Sequence, residues 1–235
     1  MLNKTIENTV LSSRMSYPAM QPDYLDLQLL GGSSQSRHSA EEFVKDIFFK
    51  AYDARVTSFY PLLLSITRQD KSFVAVAGVR PAGVEELFLE HYLGRPIEQH
   101  LSIPREKIVE IGNLAPADAG QARWLITTLS AFMISAGFTH VVFTAVPKLR
   151  NAFQRMGLPL TELVEATSDH LTEEERQHWG NYYDESPVVF VGDLRVGQLP
   201  LSEVAKTDRS LDDLCQRASH AGQLYREQLE QELFV

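Results

Sequence analysis

Hydrophobic and polar positions recur along the chain with two different periods, which predict strands and helices in turn. The clearest pattern predicts strands and helices over residues 107–114, 121–135, 139–144 and 147–157. Pro147 suits the first turn of the last helix, and Gly137 ends the helix before it. The first of these strands is apolar except for Glu110 and Asn113. A carboxylate within an apolar strand is the least ordinary feature of the pattern.

The flanking residues give weaker patterns of the same kind. Ser39 and Glu42 have the spacing of a capping box at the start of a helix. The other predicted elements are a hairpin of strands 62–67 and 73–79, a helix over 86–101 divided at Gly94 and Pro96, strands over 163–166 and 187–194, and helices over 170–178 and 210–233. This order predicts an α/β (α+β) fold whose sheet mixes parallel and antiparallel strands.

Composition divides the chain into three parts. Residues 1–36 are polar and interrupted by prolines, which predicts a partly flexible arm with a short strand or docking segment over 24–30. Residues 37–195 carry the alternating elements. Residues 196–235 are predicted to be a C-terminal helical extension that packs on the core or on a second subunit, so a homodimer is one expectation.

Charge and composition narrow the function classes. The net charge of −9 argues against nucleic acid as a partner, and the chain has no apolar stretch of the roughly 20 residues that a membrane span needs. A single cysteine, Cys215, excludes an internal disulfide, so a cytoplasmic protein without stable membrane insertion is expected. The histidines show no metal-ligand spacing, and no metal is expected.

Four segments resemble one known family. They read LFLEHYLGRPIE (87–98), VEIGNLAP (109–116), VVFTAVPKLRNAFQRMGL (141–158) and WGNYYDESPVV (179–189), and they are similar to the thermostable hemolysins of proteobacteria. The resemblance runs from about residue 37 to residue 194. That family name describes a phenotype and supplies no mechanism.

A more distant resemblance implies a mechanism. Gly78, Val79 and Arg80 end a predicted strand and Glu110 lies in a later one, which is similar to the acyl-homoserine-lactone synthases. Those enzymes have the GNAT acyltransferase fold, so the resemblance implies a splayed central sheet flanked by helices over residues 37–195. The segment AYDARVTSFYP, with Asp53 as its one acidic residue, lacks the acidic cluster of the synthases, which puts lactone production in doubt.

The resemblance implies transfer of an acyl group from an acyl-CoA or acyl-carrier-protein thioester to a small amine, such as an amino acid or a derivative. Acyl carrier protein would then be a partner. Two alternatives stay open: a hemolysin that acts directly on membranes, and a catalytically inactive sensor that binds a thioester. The negative charge and the missing basic amphipathic helix argue against the first.

Candidate residues follow from the same resemblance, each beside a simpler interpretation. Glu110 would be the general base, or else an edge-strand glutamate or an ion-pair partner of Arg80. Arg80 would bind a substrate carboxylate or phosphate, or else face solvent. Asn113 would satisfy backbone groups of the splayed strand and Thr144 would line the same cleft, although β-propensity also explains Thr144.

The donor side is assigned to the start of the central helix. GNAT enzymes hold a pyrophosphate there on a glycine-rich turn, whereas this chain reads APADAGQAR, with only Gly120 and an acidic Asp118. That departure favours a carrier-protein thioester, or a modified CoA site that includes Arg123. Arg150 and Asn151 would meet a substrate anion at the start of the next helix, or else are solvated.

An aromatic loop completes the candidate site. Trp179 and Tyr182 would wall the substrate pocket, and Tyr183 would protonate the departing thiolate. The simpler interpretation is an aromatic loop that packs on the sheet.

Overall fold

A seven-stranded sheet forms the centre of the computed structural model, which describes residues 24–32 and 34–233. The strands are β1 (Leu25–Leu30), β2 (Leu62–Arg68), β3 (Phe73–Pro81), β4 (Ile108–Pro116), β5 (His140–Ala145), β6 (Leu160–Glu165) and β7 (Val188–Asp193). They lie in the order β1-β2-β3-β4-β5-β7-β6, and β4 with β5 is the one parallel pair among them. The predicted mixed sheet is therefore confirmed.

Eight helices accompany these strands in the described part of the chain. They are α1 (Gln35–Tyr52), α2 (Glu90–Leu93), α3 (Ile97–Leu101), α4 (Ala119–Ser135), α5 (Pro147–Arg155), α6 (Glu173–His178), α7 (Leu194–Lys206) and α8 (Arg209–Leu233). Side chains of α4, α5, α7 and α8 share the largest apolar core with one face of the sheet. The other face is covered by α1, by the segment of α2 and α3, and by Tyr183 of the aromatic loop.

The sheet is splayed at its centre. β4 and β5 pair over three residues only, and the last pair joins Glu110 to Val142. Beyond this point β4 continues to Pro116 alongside β3, and β5 continues to Ala145 alongside β7. The two strands therefore separate, as the GNAT resemblance predicted, and beyond Glu110 and Val142 no pairing joins them. We call the gap between the separated strands the cleft.

Three local predictions need correction. The first helix starts at Gln35, so the predicted capping box at Ser39 is wrong. Arg37 explains the earlier start, because its guanidinium donates hydrogen bonds to the backbone oxygens of Leu30, Tyr60 and Pro61 and anchors the first turn. The second is the predicted helix over 86–101, which is helical only in α2 and α3. The third is α7, which sequence periodicity did not predict, since Pro200 lies inside it.

The two ends of the chain pack on this core. β1 pairs with β2, so residues from the predicted N-terminal arm form the edge of the sheet, while residues 1–23 lie outside the described part. At the other end, α8 packs along α4, with the Phe132 and Tyr225 rings 5.6 Å apart. The apolar residues predicted to face the core or a second subunit include Leu211, Leu214 and Ala218, which are buried in the chain's own core. The division at residues 36 and 195 stays a prediction.

The aromatic loop is attached to the end of α1 through backbone hydrogen bonds. Asn181 N–H donates to the Tyr52 oxygen at 2.7 Å, and Arg55 N–H donates to the His178 oxygen at 2.6 Å. Gly180 has a φ of +51° and lies against the backbone of Tyr52 and Asp53, where a Cβ would meet the Asp53 oxygen at 2.6 Å. Only glycine fits this approach without distortion.

Alanine at Gly180 is expected to destabilise the protein more than alanine at Gly94. Both glycines have positive φ, but a Cβ at Gly94 meets nothing within 4 Å. Gly94→Ala should therefore lower the free energy of unfolding by about 1 kcal/mol, from backbone strain alone. Gly180→Ala adds a clash with backbone atoms, for roughly 2 kcal/mol more. Urea titration of both variants measures the difference, and equal losses would show that the loop moves freely off α1.

Candidate active site

Glu110 occupies the point at which β4 and β5 separate. Its carboxylate is 1% exposed and accepts hydrogen bonds from the backbone N–H groups of Phe88 and Leu89, at 2.9 and 3.0 Å. Across the strand pair it lies opposite Arg80 of β3. Backbone donors aimed at both oxygens are what a buried carboxylate requires, so the site holds Glu110 in one orientation.

The Tyr60 hydroxyl is a further polar neighbour of Glu110, and as a hydrogen-bonding group it lowers the pKa of the carboxyl. The Tyr60 side chain lies over two glycines of neighbouring strands. A Cβ at Gly78 would come within 2.8 Å of Tyr60 Cβ, and one at Gly112 within 2.5 Å of the ring carbon that bears the hydroxyl. Gly78 and Gly112 face each other in the β3–β4 register, so the two missing side chains create one space that the ring fills.

The environment of Glu110 shifts its acidity towards neutral pH. Burial raises the pKa of the Glu110 carboxyl to about 7, although the Tyr60 hydroxyl, the two backbone N–H groups and Arg80 act in the opposite direction. Burial and the neighbouring Glu110 raise the pKa of Tyr60 well above its usual value. At neutral pH Tyr60 is therefore a neutral hydroxyl, and Glu110 can accept a proton, which suits general base chemistry.

The guanidinium group of Arg80 places a positive charge next to Tyr60 and near Glu110. Its guanidinium carbon lies 4.3 Å from the centroid of the Tyr60 ring, which is a cation–π arrangement. Its Nε is 3.8 Å from the Glu85 carboxylate, and this buried nitrogen has no hydrogen-bond partner within residues 24–32 and 34–233. The alternative in which Glu110 forms an ion pair with Arg80 is wrong, because no contact within 4.0 Å joins the two charged groups. The Arg80 charge still lowers the pKa of Glu110.

A second buried carboxylate holds the segment that binds Glu110. Glu90 accepts hydrogen bonds from the N–H groups of Leu87 and Ile97 and forms an ion pair with Arg105. Arg105 also donates to the Ala82 oxygen at 2.6 Å. These contacts direct the N–H groups of residues 87–89 towards carboxylates instead of into a helix, which is why the predicted helix over 86–101 starts late.

Asn113 holds the backbone of Tyr60 through a side-chain hydrogen bond. It lies in a bulge where the β3–β4 register shifts between Val76 and Gly78, and its φ is +48°. Its side-chain oxygen accepts a hydrogen bond from Tyr60 N–H at 3.0 Å, and its nitrogen donates to the Ser58 oxygen at 3.3 Å. The bulge explains how Asn113, three residues after Glu110, reaches groups on the same face of the sheet.

Thr144 lies on the other side of the cleft. It follows Val142, the partner of Glu110, by two residues on β5, so both side chains point to the Glu110 face. Its hydroxyl oxygen is buried and has no hydrogen-bond partner in the described part of the chain.

The aromatic loop also reaches the Glu110 side of the sheet. The Trp179 ring is 6.3 Å from the Phe88 ring, whose own backbone N–H binds Glu110. The hydroxyl groups of Tyr183 and Tyr92 form a hydrogen bond of 2.6 Å, and burial raises the pKa of both tyrosines. Tyr182 is buried against Tyr52, with ring centroids 5.2 Å apart, so it packs the loop in place.

The other four predicted residues lie apart from this cluster, on helices that cover the opposite face. Gly120 is in the first turn of α4, where its N–H donates to the Asp118 carboxylate at 2.9 Å. Arg123 donates to the Thr207 hydroxyl at 2.8 Å. Arg150 pairs with Glu162 at 2.9 Å, and Asn151 is exposed on α5.

A narrow apolar crevice lies on the opposite face, beneath the splay. It encloses about 20 Å³ and touches Ile111, the first β4 residue beyond the last pair with β5. Its walls come from α4, α5, α7 and the neighbouring strands and include Ile126, Leu129, Met133, Phe153 and Leu158. This volume holds about one water molecule, so a larger ligand could enter only if side chains moved.

The sequence matches the family model described as thermostable hemolysin over residues 30–198. The chain belongs to this family, as its motifs predicted. A search of curated protein sequences gives no significant match.

Several solved structures share the fold. MesI, a CoA-dependent acyl-homoserine lactone synthase, is 14% identical, with a TM-score of 0.51 over 76% of this chain and 94% of MesI. FeeM, an N-acyl amino acid synthase from uncultured soil microbes, is 9% identical, with a TM-score of 0.54 over 75% and 94%. The acyl-homoserine lactone synthase LasI is 11% identical, with a TM-score of 0.53 over 76% and 94%. At these identities the likeness confirms the predicted GNAT-like fold.

The described residues contain neither a cluster of metal-ligating side chains nor a membrane-spanning helix. No group of three or more His, Cys, Asp or Glu side chains among them is placed to hold a metal ion. None of the helices in the same residues combines the length and apolar character that crossing a bilayer requires.

Sequence reasoning overlooked Tyr60 and the Glu90–Arg105 pair. Tyr60 belongs to the segment considered only for its acidic residues, and its position depends on the sheet. The available signal was Gly78 and Gly112, because glycine inside a strand often marks the close approach of another group.

Glu110 should make stability depend on pH with a definite sign. Because burial holds its pKa near 7 in the folded protein, above the usual 4.5, folding favours the protonated carboxyl. Its contribution is present below pH 4.5 and is lost as pH rises to about 7, by roughly 3 kcal/mol. The free energy of unfolding of the natural protein, minus that of Glu110→Gln, should fall by this amount between pH 4 and pH 8. A difference independent of pH would show that Glu110 titrates normally.

Proposed function

We propose that this protein is an acyltransferase, which moves an acyl group from an acyl-CoA or acyl-carrier-protein thioester to a small amine, such as an amino acid or a derivative. The observation that carries the proposal is the buried Glu110 at the point where β4 and β5 separate. A base whose pKa is near 7 lies beside a cleft lined by unpaired strand backbone. The fold shared with acyl-homoserine lactone synthases and an N-acyl amino acid synthase supports the same chemistry.

The reaction would take place in the cleft between the two strands. The amine nitrogen attacks the thioester carbonyl, a C–N bond forms and the C–S bond breaks. The amine proton passes to Glu110, and backbone N–H groups of the separated strands stabilise the oxyanion. Tyr183, whose hydroxyl is positioned by Tyr92, would give a proton to the departing thiolate.

Arg80 would select the acceptor. Its guanidinium side chain is 14% exposed and its only ion pair within the described residues, with Glu85, is long at 3.8 Å. It can therefore take a carboxylate through its planar fork, which favours an amino acid as the acceptor. Thr144 and Trp179 would line the cleft beside it. The apolar crevice beneath Ile111 would open to admit the acyl chain, with flexible Met133 giving way.

The hemolysin name of the family is consistent with this proposal if the reaction product, and not the protein, causes lysis. An amine that carries a fatty acyl chain is a surfactant, so lysis would require donor and acceptor as well as the protein. A hemolysin that acts directly would lyse membranes alone, and a sensor would bind a thioester without turnover.

Glu110→Gln should abolish donor-dependent release of free thiol. The natural protein is incubated with acyl-CoA or acyl-carrier-protein donors and pooled amino acids and amines, and thiol is measured with a chromogenic reagent. Loss of a general base lowers the rate by about 100-fold or more. Glu106→Gln is the matched control, because Glu106 is exposed just before β4, and it should keep full activity.

The same preparation separates the alternatives. Lysis of liposomes by the protein alone, with no thiol release, would overturn the acyltransferase in favour of a direct hemolysin. Tight binding of a thioester without turnover would favour the sensor. Equal activity in Glu110→Gln and the natural protein would remove Glu110 from the mechanism.

Asp118→Asn tests how the donor is held. Asp118 accepts hydrogen bonds from Gly120 and Gln121 N–H, so its negative charge occupies the turn where a pyrophosphate would bind. Asparagine keeps the cap without the charge. The KM for acyl-CoA should fall several-fold, while the KM for an acyl-pantetheine, which lacks the pyrophosphate, should not change. Equal effects on the two donors would place the CoA phosphates elsewhere.

A further inference from the structure

The Glu110 carboxylate lacks an open route to a substrate. It is 1% exposed, and each oxygen already accepts a backbone N–H, from Phe88 or from Leu89. The Tyr60 hydroxyl is the other group that acts on this carboxyl, as a hydrogen-bonding neighbour that lowers its pKa. A base must lie within hydrogen-bond reach of the proton that it takes, directly or through one intermediate group. The intermediate group present in the structure is Tyr60.

We propose that Tyr60 is a catalytic residue that relays the proton of the attacking amine to Glu110. This inference rests on the acyltransferase function proposed above and adds a residue to it. In one step the amine nitrogen loses a proton to the Tyr60 oxygen, and the Tyr60 hydroxyl proton passes to a Glu110 oxygen. Tyr60 begins and ends neutral, Glu110 becomes neutral, and the C–N bond forms on the amine nitrogen.

The position of the Tyr60 hydroxyl fits this role. A Cβ at Gly112 would lie 2.7 Å from the Tyr60 oxygen, so the hydroxyl lies directly over Gly112. Gly112 is two residues beyond Glu110, where β4 has already left β5. The hydroxyl therefore lies over the part of β4 that has already separated from β5, next to the position of the buried carboxylate.

Three contacts restrain Tyr60. The sheet at Gly78 and Gly112 lies beneath it, and the Arg80 guanidinium carbon is 4.3 Å from its centroid. Asn113 accepts the Tyr60 backbone N–H at 3.0 Å. Such restraint keeps the hydroxyl within reach of Glu110, and Arg80 stabilises negative charge that develops on the Tyr60 oxygen during transfer. Burial keeps the pKa of Tyr60 high, so the hydroxyl carries its proton at neutral pH.

Tyr60→Phe tests the relay. The ring stays between the glycines and Arg80, so the fold is expected to persist, while kcat should fall by about 100-fold with little change in the KM of the donor. The Tyr60 hydroxyl lowers the pKa of Glu110, so its removal should raise that pKa. In the pH–rate profile of the variant, the rise in activity on the acid side should therefore shift to higher pH. Tyr225→Phe, which alters a buried tyrosine on the opposite side of the sheet, should keep kcat.

The number of protons that move in the rate-determining step can be measured, and a purely structural role of Tyr60 would not change it. In mixtures of H₂O and D₂O the rate of the natural protein should show a curved dependence on deuterium fraction, since two protons move together, and Tyr60→Phe should give a straight line. A linear dependence in the natural protein, or a kcat for Tyr60→Phe within tenfold of normal, would overturn the relay. Absence of turnover in the natural protein would instead overturn the acyltransferase itself.

Discussion

The burial of the Glu110 carboxylate is the constraint around which the centre of the molecule is arranged. An ionised carboxylate inside a protein is costly unless donors surround it. Here the donors are the N–H groups of Phe88 and Leu89, and the Tyr60 hydroxyl also acts on the carboxyl, so two separate segments converge on one side chain. Burial outweighs these donors, and the carboxyl keeps a pKa near 7.

That convergence requires further support away from Glu110. Residues 87–89 can turn their N–H groups towards carboxylates because Glu90 and Arg105 hold the segment from both ends. The Tyr60 ring can lie on the sheet because Gly78 and Gly112 leave the space empty. Each of these features is costly by itself, either as a buried charge or as a glycine in a strand, and each is explained by its contribution to the same site.

The separation of β4 and β5 begins at Glu110, which places the buried carboxylate at the candidate active site. Pairing stops at Glu110 and Val142, so the carboxylate marks the apex of the cleft. The two faces of the sheet then have different roles. The Glu110 face carries the polar and aromatic groups of the site between two apolar clusters, whereas the face under α4 and α5 is apolar and contains the crevice beneath Ile111. The acyl donor and amine acceptor that we propose would use these two faces separately.

Much of the framework was determined by the sequence alone. Hydrophobic periodicity is local, and it predicted the central strands and helices, the early hairpin and the mixed sheet, while the motifs indicated the family. Glu110 stood out because a carboxylate interrupts an apolar strand. Tertiary structure alone decided the partners of Glu110. Tyr60, Phe88 and Leu89 reach it across long separations in the chain, and the bulge at Asn113 changes which groups share a face. Such contacts depend on strand register and on the space left by opposed glycines, and local sequence patterns contain neither.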